Sequence, residues 1–178
     1  ALAAQQSETH DPAKDVRYPD QRERSIWVIA DTFQDRPIHV TLEMLGKARE
    51  LTANTKSEVA AVIIASQGQA MAAEMAAHGA DRVLLLDNST LGPVYSRAVS
   101  NALAAAINQA KPYAVLFAAS VDGRDLASRI AANLKLGLTG DAVDLEIDDQ
   151  GRLVQLKPAL GGNVVAPILS KTLPNLVT

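Results

Sequence analysis

The sequence contains no cysteine, which excludes disulfides, thiolate metal sites and iron–sulfur ligation of the usual kind. A redox role would therefore need an organic cofactor. Aromatic residues make up only 3% of the chain, leaving few rings to stack on bases, and this disfavours the aromatic-rich readers of nucleic acid. Charge argues the same way. The formal net charge is −3, and no basic stripe is visible of the kind that neutralises phosphate backbones, so no nucleic-acid partner is expected. No apolar run approaches the roughly 20 residues that a membrane-spanning helix needs, and the first residues lack the apolar core of a signal peptide. The expectation is a protein without membrane insertion, cytoplasmic in a bacterium, with the mitochondrial matrix as the second location.

Catalytic fingerprints are missing as well. After the first predicted strand, Ala30-Asp31-Thr32-Phe33 lacks the glycines that let a backbone approach a pyrophosphate, so a Rossmann-type dinucleotide site is not expected. There is no P-loop, no G-x-S-x-G elbow and no H-E-x-x-H pair. His10, His39 and His78 stand apart from one another and from carboxylates at metal-ligand spacing; surface or capping roles suit the last two. No catalytic, cofactor-binding or metal-binding residue is assigned.

What is present is an ordinary globular composition. Of the 178 residues, 48% are hydrophobic and 21% charged, enough for one domain with a core of Ala, Val, Leu and Ile. Residues 1–24 are polar and of mixed charge, with Pro12 and Pro19, and read as a mobile leader without chemistry. Residues 25–178 form the domain.

Its periodicity alternates between strand and helix. Ser25 to Asp31 reads as a strand buried on both faces, and Gln34 to Pro37 as a turn. Thr41 is a plausible cap for a helix carrying Leu42, Leu45, Ala48 and Leu51. Val59 to Ala65 is a second strand, Gln69 to Ala77 a small-residue helix closed by Gly79, and Val83 to Leu86 a third strand. A helix follows with Pro93 near its start; Tyr95, Val99, Leu103 and Ile107 recur along one face until Lys111-Pro112 ends it. Ala114 to Ala119 is a fourth buried strand, and a helix then runs to about Leu134. Such alternation implies a doubly wound, mainly parallel α/β sheet. The last third changes character: Ala142 to Ile147 and Leu153 to Lys157 flank the turn Asp148 to Gly151 as a hairpin, and Val164 to Leu169 follows Gly161-Gly162. A C-terminal antiparallel appendage is expected.

One local constellation bears on chemistry. Ser120-Val-Asp-Gly-Arg-Asp-Leu-Ala-Ser-Arg-Ile130 lies at the carboxyl end of a predicted strand and opens a helix, where doubly wound sheets bind ligands and helix N-termini attract anions. Arg124 and Arg129 suit a phosphate. Asp122 and Asp125 oppose one, and Asp125 to Arg129 has the spacing of an ordinary helical ion pair, so an acidic cap with an ion pair is the stronger local reading. Leu138-Thr-Gly-Asp141 and Pro158-Ala-Leu-Gly-Gly-Asn163 are turn chemistry that equally serves contacts across an interface.

In order and spacing, Gly123-Arg-Asp-Leu-Ala-Ser-Arg-Ile-Ala-Ala132, Leu138-Thr-Gly-Asp141, Lys157-Pro-Ala-Leu-Gly-Gly-Asn163 and Ala166-Pro-Ile168 resemble the motif series of electron transfer flavoprotein alpha subunits. The opening strand Trp27 to Asp31 and Thr41-Leu-Glu-Met-Leu45 are similar to the family's start, so the resemblance covers roughly Ser25 to Thr178. Lys157 stands where the family often has Arg, and Gly140 where Ala is common. The resemblance implies an adenine-nucleotide-hydrolase-like fold and a scaffold role without catalytic residues of its own. It implies a heterodimer with a beta subunit of similar fold, docked through the appended strands and the loops Thr139 to Asp141 and Gly161 to Asn163. FAD would sit mainly on a second, C-terminal alpha domain beginning after Leu173-Pro-Asn-Leu-Val-Thr178, absent from this sequence, with AMP or a further FAD on beta. Electrons would pass from flavin dehydrogenases to an acceptor. Two alternatives stand beside it: a free-standing adenine-nucleotide-binding module of the universal-stress type, and a small phosphotransfer or acyl-transfer enzyme using Arg124 and Arg129.

Overall fold

The computed structural model describes residues 25–178, apart from 54–56, 67, 88, 91–92 and 94–95. The expected leader, residues 1–24, and Tyr95 lie outside the described residues.

Apolar runs that alternate with helical stripes produce the expected order. Strand β1 (Ile26–Ile29) leads through a two-residue hairpin, β2 (Thr32–Phe33) and β3 (Arg36–Pro37), to α1 (His39–Thr52). Then come β4 (Val59–Ile64), α2 (Gln69–Ala77), β5 (Arg82–Leu86), α3 (Arg97–Ala110), β6 (Ala114–Leu116) and α4 (Val121–Leu134). The final third supplies β7 (Leu138–Thr139), β8 (Asp144–Ile147), β9 (Leu153–Ala159), a 3-10 turn at Leu160–Gly162, β10 (Val164–Leu169) and β11 (Asn175–Val177).

Six strands form one sheet in the order β5-β4-β1-β6-β11-β7, and all its pairings are parallel. Alternate residues of β1 face opposite cores. Ile26 and Val28 join Leu45, Ile63 and Met75 beneath α1 and α2, whereas Trp27 and Ile29 join Leu103, Ile107, Leu126 and Ile130 beneath α3 and α4. Two faces, each covered, make the doubly wound class. Beyond β5 the chain crosses back through α3 to pair β6 with the other edge of β1. The strand order therefore reverses between β1 and β6, which is where an open α/β sheet forms its ligand crevice.

Two sequence expectations change. Thr41 is not a cap: α1 begins two residues earlier with Ile38 as its N-cap, which makes no side-chain cap bond. Buried Thr41 instead donates its Oγ1 hydrogen to the Asp31 carbonyl at 2.9 Å and accepts from the Asp31 amide at 2.9 Å. This reciprocal pair fastens the first turn of α1 to the end of β1. Second, the parallel sheet gains β7 and β11 from segments that carried no strand signal, because two and three residues are too few for periodicity to show. The expected antiparallel strands β8 to β10 are present, and they also pack on the body as a layer. Leu145 and Leu153 are buried in the same cluster as Tyr113, Leu116 and Val177, so this three-stranded antiparallel sheet covers the β6–β11 half of the parallel sheet where a further helix would otherwise lie. The Tyr113 hydroxyl donates to the Gly151 carbonyl at 2.8 Å and pins the β8–β9 turn.

Candidate functional site

The switch-point crevice is the first place to look for a ligand. Its walls are the ends of β1 and β6 and the first turn of α4, with Asp31, Phe117, Ala118, Asp122 and Gly123 among the lining residues, and its volume is only about 40 Å³. Ligand pockets usually span about 300–1,000 Å³. Glycine at position 123 explains the closure: a Cβ there would collide with the Ala118 carbonyl oxygen, so the helix start lies directly on the strand end. The cap is a hydroxyl and not an acid. Ser120 Oγ accepts from the Gly123 amide at 3.0 Å, and Asp122 follows in the first turn, where a negative charge complements the helix dipole.

Both arginines of the sequence constellation are committed. Arg129 Nε donates to Asp125 Oδ2 at 2.7 Å along the helix, as the spacing predicts. Arg124 Nε donates to Asp141 Oδ1 at 2.9 Å, a pairing across 17 residues that no local pattern could disclose. Asp141 adopts a left-handed backbone, φ 58°, and its amide donates to Thr178 Oγ1 at 2.9 Å. Among the described residues, then, the α4 start carries a cap and two ion pairs where a nucleotide module would hold phosphate-facing cations.

The two loops expected to make interface contacts part company. Thr139 is a buried residue of β7, its carbonyl accepting from the Thr178 amide at 3.0 Å. The Leu160–Gly162 turn, in contrast, stands out from the surface: Leu160 is 80% exposed and has φ 49°, and Gly161 and Gly162 also take positive φ. Val164 and Val165, which open β10, are 47% and 49% exposed. A larger cavity of about 300 Å³ lies at the carboxyl ends of β6 and β11, between α1 and the start of β8. Its polar rim is already paired, since Lys47 Nζ donates to Asp144 Oδ1 at 2.8 Å and to Glu50 Oε1 at 2.9 Å.

Ion pairs at this rim and elsewhere on the surface set a pH dependence. The Arg49 guanidinium beside Asp81 holds that carboxyl below its ordinary value of 3.8, with help from the Val59 amide and against the effect of partial burial. Lys47 and the Leu145 amide do the same for Asp144. At Asp148 burial works upward, but the amides of Arg152 and Gln150 and the Arg152 side chain outweigh it. A carboxyl held low in the folded state stabilises fully above its unfolded value, and that contribution is lost as pH falls through the depressed value. For Lys47 burial works downward, yet the hydrogen bonds and charges of Asp144 and Glu50 lift its pKa above 10.5; its contribution is complete below 10.5 and lost as pH rises through the raised value. Asp144→Asn should therefore flatten the acid limb of a plot of Tm against pH below about pH 4 and trim the alkaline limb. Coincident curves for the variant and wild type at both ends would show the pair to be energetically idle.

Comparison with known proteins decides the family. Residues 26–178 match the family model described as electron transfer flavoprotein domain. The chain belongs to the electron transfer flavoprotein family. Among curated relatives, the electron transfer flavoprotein subunit alpha of Thermoanaerobacterium thermosaccharolyticum is 36% identical over 145 residues, covering 82% of this chain and 44% of that protein. The alpha subunit of Megasphaera elsdenii is 37% identical over 147 residues, with the same shares of 82% and 44%. LctC, a subunit of the lactate dehydrogenase (NAD(+),ferredoxin) of Acetobacterium woodii, is 36% identical over 156 residues, 87% of this chain and 37% of that protein. The chain thus spans less than half the length of these curated relatives. Among the described residues, no helix is long and apolar enough to cross a membrane.

Proposed function

We propose that this chain is the scaffold and docking portion of an electron transfer flavoprotein alpha subunit. It contributes no catalytic residues; its work is to hold a beta subunit so that flavin bound elsewhere in the complex exchanges electrons with a flavin dehydrogenase and an acceptor. The observation that carries this reading is where the apolar surface lies. Of the seven large hydrophobic residues exposed among the described residues, four (Val143, Leu160, Val164 and Val165) belong to the antiparallel sheet and its loops, and a concentration of that kind marks a contact surface. Support for placing the flavin elsewhere comes from the 40 Å³ crevice and from the missing glycine fingerprint. AMP or a further FAD would belong to the beta subunit.

Co-expression with the beta subunit, followed by size-exclusion chromatography, should yield a 1:1 heterodimer. Amide exchange should slow around Leu160 to Leu169, while Thr139 is already protected in the isolated chain. The isolated chain should show no stoichiometric flavin absorbance and no calorimetric signal with AMP or ATP. A chain that stays monomeric beside its beta subunit, or that carries flavin alone, defeats the proposal.

A further inference from the structure

The parallel sheet ends on two strands of unequal character, β7 and β5. An edge strand presents a row of unpaired backbone donors and acceptors, which proteins blunt by shortness, proline, charge or an overlying element. β7 is blunted by its length of two residues. β5 has five, Arg82-Val-Leu-Leu-Leu86, and its last four are apolar in succession. None of the five is buried, with Arg82 and Leu85 exposed and the rest half-buried, whereas β4 beside it is buried at every position.

The bonding of β5 shows which backbone groups face outward. The Leu86 carbonyl accepts from the Ala65 amide at 3.3 Å, so Leu86 directs its backbone toward β4. A strand residue sends its N–H and C=O to one side and the next residue sends them to the other. Leu84 and Arg82 therefore also face β4, and Val83 and Leu85 face the free edge. Leu85 is 44% exposed, and its side chain lies against Gly68, the N-cap of α2.

We infer that β5 pairs antiparallel with β5 of a second copy of this chain, about a two-fold axis that joins the two parallel sheets. A two-fold contact uses the same patch on both copies, so the strand must complement its own reverse. Centred on Leu85, it does. Leu85 then lies opposite Leu85 as an apolar, hydrogen-bonded pair, Val83 lies opposite Asp87, and the Arg82 end of each copy meets the Asp87 end of the other. Arg82 is held only loosely within its own chain, at 3.8 Å from Glu58. Centring the pair on Leu84 would instead set Asp81 opposite Asp87, like charges that repel across a pair of strands. The β5 edge lies at the other end of the sheet from β11 and β7, so this contact is independent of the heterodimer reading and compatible with it.

Light scattering of the isolated chain after size exclusion should show a monomer–dimer equilibrium that shifts with concentration. Leu85→Lys should raise its dissociation constant about tenfold or more, because two lysines replace an apolar pair. Phe33→Lys, a change at an exposed apolar residue away from this edge, should stay within about twofold of wild type, with circular dichroism showing both variants folded. Amide exchange of the wild-type chain should slow at Val83 and Leu85 as concentration rises, while Leu84 and Leu86 are protected throughout. A chain that stays monomeric up to its solubility limit, a dimer indifferent to Leu85→Lys, or open-ended aggregation in place of a dimer would overturn the inference. If Leu85→Lys fails to fold, the exchange measurement decides: protection at Val83 and Leu85 that does not change with concentration would overturn it.

Discussion

Gly123→Ala is expected to destabilise the protein by about 1–3 kcal/mol, in the range of substitutions that force overpacking, whereas Gly46→Ala should stabilise it by up to about 1 kcal/mol. The two glycines lie in helices of equal length, α4 and α1, so composition and propensity would rank them together. Surroundings separate them. A Cβ on Gly46 meets nothing within 4 Å, and there the methyl only reduces the freedom of the unfolded chain and favours the helix. A Cβ on Gly123 collides with the Ala118 carbonyl oxygen, a backbone atom two residues beyond the end of β6 that cannot rotate aside as a side chain would. Relief would require lifting the α4 start off the sheet, which breaks the Ser120 cap and shifts Leu126 in the core. Urea denaturation of both variants at unchanged slope would test the pair. A loss at Gly123 below about 1 kcal/mol would mean that the first turn of α4 yields more easily than this packing implies.

That contrast also marks how far the sequence could be read. The alternation of apolar runs with helical stripes places β1, β4, β5 and β6 and the three longest helices, because each buries a broad face and periodicity reports burial; the ends are less well given, since β6 stops at Leu116, α1 starts at His39 and α3 starts at Arg97. Strands β7 and β11 escaped for the opposite reason: Leu138–Thr139 and Asn175–Val177 pair with the sheet over too few residues to repeat a pattern. Thr41 was misjudged because a threonine ahead of an apolar stripe has the chemistry of a cap. Its Oγ1 serves Asp31 instead, a residue that only the tertiary fold brings within reach.

At the α4 start the ion pair of Asp125 and Arg129 was legible from spacing, and the balance of acids against arginines already argued against a phosphate. Two facts were out of reach. The clasp of Arg124 on Asp141 joins a helix to a loop far along the chain, and the volume of the crevice depends on how near that helix lies to β6. The docking surface was half legible. An apolar run in β10 was plain, but the identity of its outward face needs the register against β9, which a strand exposed on both sides does not declare.

The inner face of the same sheet leads to the second large effect. Leu153→Ala should cost about 2–5 kcal/mol, the usual range for deleting a buried leucine side chain, while Val154→Ala should cost less than about 1 kcal/mol. Leu153 is 1% exposed and lies in the cluster that contains Tyr113, Leu116 and Val177. It is therefore an apolar bolt between the antiparallel layer and the parallel sheet. The other fastenings are weaker by nature. Gln155, fully buried beside it, reaches Asn175 Oδ1 only at 3.5 Å, and its Oε1 has no hydrogen-bond partner among the described residues; the Lys47–Asp144 pair is partly exposed and screened by solvent. Removing the Leu153 side chain should thus loosen β8, β9 and β10 ahead of the rest. Hydrogen exchange is expected to rise first in these three strands, with β1 and β4 unchanged until global unfolding. Affinity for the beta subunit should fall in the same variant, although Leu153 faces away from the proposed partner, because the docking face would no longer be held rigid. If exchange instead rose uniformly through both sheets, the antiparallel layer and the parallel body would be one cooperative unit, and the docking surface would owe its rigidity to the whole core and not to this contact.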